Sequence, residues 1–423
     1  MKKLKKIFFQ LHSWIGINLS ILFFVVCFSG TLATIAREID WIFRPDIRVS
    51  VQELKADKNE IVKKIEKAYP DGVITEWEGG RMPYLCDLVS VEKEGLEWYV
   101  FVNPYTGEIQ GATTLTFQRF IRDFHYYFFI DYNNVGHFMV LVFAFMLFIV
   151  TITALFFYKN WWKKLFELKI NKGSAVLFRS LHRLVGVWSV PFCLLISITG
   201  IWYFIERTNT ANVSDVANPE TPKIETLDLD ETSFSNLGFT VDYNKVVSTA
   251  ENAIPNLKVK DIKLPKNLNS PIYVTGKSDV PLVRYRANRV WLHPLTYDVV
   301  GIQKATEVGA KTLINDSADM LHFGVWGGLI TKIIWFFFGL CLSTLVLTGI
   351  VIRLKKKTKK EADLKVAKWN YFNISVVVLL FGAMYYTLVV KYALAPYQIV
   401  LITGAFVILI LLAYYVFGYK LKK

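Results

Sequence analysis

The sequence predicts an α-helical membrane protein: six transmembrane helices with two small extracytoplasmic α+β domains, arranged as a parallel internal repeat. Three observations predict it. Of 423 residues, 53% are hydrophobic and 15% aromatic, above a typical soluble domain, and six stretches each approach the roughly 20 apolar residues that span a bilayer. Basic residues gather in alternate connecting segments. The run LHSWIGINLSILFFVVCFSGTL from Leu11 returns as LHRLVGVWSVPFCLLISITGIW from Leu181, an offset of 170 without a gap. The runs are continuous rather than alternating, so helices and not barrel strands satisfy the backbone in lipid.

The elements follow in order. Residues 1–36 hold Lys2, Lys3, Lys5 and Lys6 and then the first span, 15–36. Its apolar stretch is too long for a signal-peptide core and lacks a small-x-small cleavage site, so it reads as a retained anchor. Residues 37–136 form the first outer domain. KNEIVKKIEKAYP is an amphipathic helix with Ile61, Ile65 and Ala68 on one face, and YLCDLVSV and LEWYVFVNPYTGEIQG read as strands. Gly107 supplies the positive φ that a tight hairpin turn needs. The second span is 137–158, and the segment 159–181 carries Lys159, Lys163, Lys164, Lys169, Lys172 and Arg179.

The second copy repeats the plan. The third span is 182–205, with Arg183 at its start. The second outer domain, 206–330, has the helix DYNKVVSTAENAIP and the strand-turn-strand PLVRYRANRVWLHPLTYDVVG, where Tyr297 replaces the turn glycine and predicts a different turn. The fourth span is 331–353, and RLKKKTKKEADLKVAK leads through the loop 354–370. Residues 371–423 hold a final hairpin, 371–391 and 396–418, without histidine, and end on Lys420, Lys422 and Lys423. The hairpin reads as packing for the bundle, or as a dock for a partner subunit. The basic segments place both termini in the cytoplasm. The net charge of +14 therefore reflects topology and anionic lipid rather than nucleic acid. Cys27, Cys193 and Cys341 fall in spans and Cys86 stands apart, so no disulfide or cysteine metal site follows.

Five of the six histidines lie near span ends: His12, His125, His137, His182 and His322. Ionisable groups there are functional by default, although interfacial snorkelling is the simpler explanation for any one of them. His12 and His182 are matched by the repeat, and His125 and His322 each precede a span. Zinc wants about four clustered ligands. Here histidines come singly from separate helices, one pair at each membrane face, which suits a planar macrocycle gripped from both sides. A b-type haem needs that, and no Cys-x-x-Cys-His. Gly16 and Gly186, about one turn from His12 and His182, leave room for a porphyrin edge; close helix packing is the alternative. Eighteen positions from His12 to Gly30 rise roughly 27 Å along a helix, nearly a hydrocarbon thickness. His12 and His182 thus define an inner level, and His125 and His322 an outer one. His137 competes with His125 for the outer site.

The segments LHSWIG, FSGTL, REIDWIFRP and WYVFVNPYTGEIQG resemble the PepSY-associated transmembrane family, over about residues 8–355. The resemblance implies PepSY-like outer domains. It also implies kinship with bacterial inner-membrane reductases that bind b-type haem and reduce ferric siderophores in the periplasm. By position, His12, His182, His125 and His322 match the family's helix-end histidines. The expected function is therefore a ferric-siderophore reductase, or a reductase of a similar ferric chelate, carrying two b haems. No Gly-x-Gly-x-x-Gly follows a strand and no Walker motif is present, so electrons come from a quinol or a separate reductase. One rival is a non-enzymatic binding or regulatory protein using its PepSY domains. Another is a haem subunit of a different oxidoreductase. A transporter is disfavoured because no span reads as broken and none holds an acidic residue.

Overall fold

The computed structural model describes residues 2–158, 160–224, 237–355 and 360–416. Lys159, positions 356–359 of the basic run, and Lys420, Lys422 and Lys423 lie outside the described residues. In chain order the elements are α1 Lys2–Asn18, α2 Ser20–Thr34, α3 Ala36–Phe43, α4 Lys58–Ala68, β1 Val73–Glu78, β2 Asp87–Lys93, β3 Leu96–Val102, β4 Ile109–Thr113, α5 Phe117–Tyr127, α6 Val135–Phe157 and α7 Ser174–Arg207. There follow α8 Val213–Ala217, α9 Leu237–Thr240, α10 Tyr243–Ala253, β5 Lys258–Lys263, β6 Ile272–Lys277, β7 Arg289–Leu292, β8 Val299–Gln303, α11 Ala310–His322, α12 Gly328–Leu354, α13 Lys360–Val390 and α14 Pro396–Ala413. They fall into a helical unit (Met1–Ala36, Arg119–Phe204, His322–Lys423) and a sheet unit (Arg37–Gln118, Ile205–Leu321).

Five helices of the helical unit are long and apolar enough to cross a membrane: Tyr132–Phe157, Ser174–Arg207, Gly328–Leu354, Lys368–Val390 and Pro396–Val416. The first apolar stretch differs from its expected straight course. α1 and α2 meet at 76° across Leu19, so the total is five, or six when the bent pair counts as one span. The cause is local polarity. The Ser20 hydroxyl turns back to donate to Ile17 O at 2.9 Å, and Asn18 O accepts a 2.6 Å hydrogen bond from Asn373 Nδ2 of α13. A carbonyl released at a kink in an apolar bundle must find a donor, and Asn373 supplies it. The repeat partner α7 runs unbroken for 34 residues despite Pro191. The straight-line 27 Å between His12 and Gly30 therefore does not apply, and span continuity no longer argues against a transporter.

The sheet unit holds one eight-stranded antiparallel sheet in the order β4-β3-β2-β1-β5-β6-β7-β8. The two segments that the sequence divides into separate domains are thus continuous edge to edge, joined where β1 pairs β5 (Trp77 opposite Ile262). Joining them covers two strand edges that would otherwise be open. Neither β1 nor β5 is among the strand-like runs of the sequence: KVKDIK has little apolar alternation to detect. α4 and α10 pack on one face, with Ile61, Ile65, Tyr243 and Val246 against Trp77, Val100, Ile262 and Val274. Their N-termini are tied reciprocally. Asp57 and Asp242 cap α4 and α10, while Asn59 Nδ2 donates to Asp242 at 2.8 Å and Asn244 Nδ2 donates to Asp57 at 2.8 Å.

The second hairpin turn is the same as the first, against expectation. Tyr297 takes φ 64° where Gly107 takes 68°, and both turns close with the same backbone bonds, Asn103 to Glu108 and His293 to Asp298. Left-handed backbone is strained for a tyrosine. Here its hydroxyl accepts from Asp242 N at 2.9 Å, a tie that glycine cannot make. His293 is accounted for too: its Nδ1 accepts from Leu295 N and Thr296 N, the job that Asn103 Oδ1 does in the first turn.

At the seam, burial and the neighbouring Glu78 push the Glu76 carboxyl up to about 6. A carboxyl raised in the fold adds stability while protonated, fully below its unfolded value near 4.5, and loses it as pH rises through about 6. Glu76→Gln should therefore raise the melting temperature at pH 7.5 and change it little at pH 4.5, in thermal scans of the purified protein.

Candidate functional site

The four helix-end histidines all fall in the helical unit. Each points its Nδ1 at an oxygen of another helix. His12 on α1 bonds Val150 O of α6 at 2.9 Å. His182 on α7 bonds Thr348 Oγ1 of α12 at 2.9 Å. His125 on α5 meets Ser29 Oγ of α2 at 3.0 Å, and His322 at the end of α11 meets Thr199 Oγ1 of α7 at 2.7 Å. Ser29 and Thr199 stand at the same repeat position, 170 residues apart.

These contacts set the tautomers. A carbonyl only accepts, so His12 Nδ1 carries the proton. The three hydroxyls spend their single hydrogen on their own helices: Thr348 on Thr344 O, Thr199 on Leu195 O and Ser29 on Val26 O. With the hydroxyl hydrogens on those carbonyls, the hydroxyls accept and Nδ1–H donates, as it must at the carbonyl that His12 meets. Each Nε2 then bears a lone pair, the state in which imidazole ligates a metal.

His12 and His182 come together, their ring centres 6.3 Å apart and their planes at 89°. One metal bound by two imidazoles puts ring centres roughly 6 Å apart, from two ~2 Å bonds plus the ring radii. An edge-on aromatic contact has the same spacing; the tautomers add the ligand competence. His12 also meets Phe157 edge-on at 5.3 Å. His125 and His322 sit on equivalent repeat positions, Ser29 and Thr199, and Tyr203 stands against the His322 ring at 5.1 Å. α7 separates the two pairs: His182 and Thr199 are 17 positions apart on one continuous helix, about 25 Å. Between them lies an apolar layer of Phe23, Leu147, Cys193, Leu342 and Val346, with Cys27 packed against it.

His137 is buried elsewhere, against the rings of Tyr126 at 4.6 Å and Tyr127 at 5.3 Å. His125, not His137, makes the contact equivalent to that of His322. The glycines divide by role. A Cβ on Gly16 would meet nothing within 4 Å, and one on Gly186 only Leu345 at 3.6 Å, so close helix packing does not explain either. Gly30 is required by His125, whose Cε1 lies 2.8 Å from the position of an added Cβ, and Gly200 by Ala144 at 2.6 Å. Among the described residues no group of three or more His, Cys, Asp or Glu could hold a metal. The donor set therefore fits a group that brings most of its own ligands and asks the chain for two imidazoles, as haem does. Sequence reasoning missed the oxygens that orient the rings, although a hydroxyl before glycine in both copies, Ser29-Gly30 and Thr199-Gly200, was a signal.

A bundle of apolar helices carrying paired, ligand-competent histidines, in one chain with an antiparallel sheet unit, defines a multi-pass membrane protein. Residues 9–356 match the family described as PepSY-associated TM region, and the chain belongs to that family. No curated protein matches it.

Thr199→Val should strand a buried Nδ1–H, at a cost of about 1–3 kcal/mol, while Thr199→Ser restores the acceptor. Thermal unfolding reads the loss, and imidazole nitrogen NMR of the purified protein should report a changed His322 tautomer in the valine variant alone.

Proposed function

We propose that the chain passes electrons across the bacterial inner membrane, through two b-type haems, to a ferric chelate outside. His12 and His182 would hold one haem, and His125 and His322 the other. When bound, such a group supplies reversible one-electron chemistry. The observation that carries the reading is the shared geometry: four imidazoles, in four helix-to-helix ties of one bundle, each turn Nδ1 to an oxygen and leave Nε2 without such a tie, in two pairs at two heights. The chain's own part is to hold each ring's rotation and raise its basicity through the Nδ1 bond. The packed layer between the pairs keeps water out. His125 is preferred to His137 because its contact repeats that of His322.

The proposed acceptor is ferric iron in a siderophore or similar chelate. One electron gives ferrous iron, whose lower charge loosens a hard-oxygen chelate. A quinol or a separate reductase is the proposed donor. Lys2, Lys3, Lys5 and Lys6, with the basic residues of 159–183, put that side in the cytoplasm and the sheet unit outside.

The gently purified protein should show Soret and α bands of six-coordinate b-type haem before and after dithionite, at about two haems per chain. A colourless preparation from haem-replete cells would refute the reductase reading and favour a binding protein. His12→Ala and His182→Ala should remove the same haem, non-additively, leaving the other reducible by dithionite. Loss of two different haems would break the pairing. For orientation, Lys67→Cys and Lys277→Cys, both exposed, should label from outside in intact spheroplasts; labelling only after lysis reverses the direction of electron flow.

A further inference from the structure

We infer that α13, which lies beyond the residues matched by the family, is a positioning helix for the histidines of the first repeat at both levels. The inference rests on the haem reading above.

Two hydrogen bonds carry it. Asn373 is fully buried and donates to Asn18 O at 2.6 Å, at the break between α1 and α2. Near that bond Trp369 meets Trp14 edge-on at 5.4 Å. His12 lies on α1, so whatever fixes the 76° bend fixes the approach of His12 to His182. Just past the other end of α13, two residues after Val390, the Tyr392 hydroxyl donates to the carboxylate of Asp123. Asp123 is fully buried on α5, two residues before His125, and is also paired with Arg119 and Arg122. A helix turns about 100° per residue, so holding Asp123 sets the rotation that brings His125 onto Ser29 and Gly30. Leu380, between the two bonds, completes the core with Val26, Phe128 and Val140. The helix and the turn that directly follows it therefore grip α1 at one level and α5 at the other. Their named bonds go to the half of the chain that supplies His12 and His125.

The test is a redox titration of the purified, haem-loaded full chain, followed optically, with electron paramagnetic resonance of the ferric state. The centres are assigned beforehand by His12→Ala and His322→Ala. Tyr392→Phe removes one hydroxyl and should shift the midpoint and ferric signal of the His125/His322 centre alone. Asn373→Leu should shift the His12/His182 centre alone; if that variant does not accumulate, Asn373→Gln, with its donor on a longer arm, should give a smaller shift at the same centre. Tyr386→Phe, on the exposed side of α13, should move neither. Unchanged midpoints and signals in every variant, or equal shifts at both centres, overturn the inference while the haem reading stands. A wild-type protein without haem overturns both, and shows it before any variant is made.

Discussion

A neutral imidazole has one nitrogen that donates and one that accepts, and this bundle commits the donor of four histidines to oxygens on neighbouring helices. The bonds run from α1 to α6, from α7 to α12, from α5 to α2 and from α11 to α7. In water each would be worth about 1 kcal/mol net. In an apolar bundle the alternative is an unsatisfied polar group, which costs more. The same bonds therefore hold helices together and decide which nitrogen stays bare. Assembly and ligand competence come from one set of contacts.

The two halves of the chain use that constraint alike, but they are not copies in space. Ser29 and Thr199 serve equivalent histidines from equivalent positions, and the two hairpin turns agree even where tyrosine replaces glycine. Yet α1–α2 is broken where α7 is straight. The difference traces to Asn18 and Ser20, whose counterparts in α7 are Trp188 and Val190. A polar pair can stabilise a kink only if a donor reaches the released carbonyl, and the donor comes from a helix outside the repeat. The fifth apolar segment is thus more than filler for the bundle: it supports a bend in the first half that the second half does not have.

In the sheet unit a similar economy operates. Pairing β1 with β5 removes an edge from each half, and the reciprocal Asp–Asn bonds at α4 and α10 tie the halves across the helix layer. The seam carries charge, including Glu76, Glu78, Lys263 and Asp261. It is held by backbone pairing and by the buried Trp77–Ile262 pair under the helices, with the charged pairs on the opposite face.

The apolar runs, the offset of 170, and the histidines at span ends could all be read from the sequence, because each is a local pattern of residue type along one chain. Those patterns determined the membrane class, the family resemblance, and which imidazoles to consider together. They could not choose between His125 and His137, which differ only in what other helices bring to them: a serine in one case, two tyrosine rings in the other. Nor did they reveal the break at Leu19, the strands β1 and β5, or the grip of Asn373 and Tyr392. Each of these depends on a partner far away in sequence, 355 positions for Asn18 and Asn373 and 269 for Asp123 and Tyr392. Hydrogen bonding satisfies a donor wherever the fold delivers an acceptor, so only the tertiary structure decided which carbonyl, hydroxyl or carboxylate each polar side chain would meet.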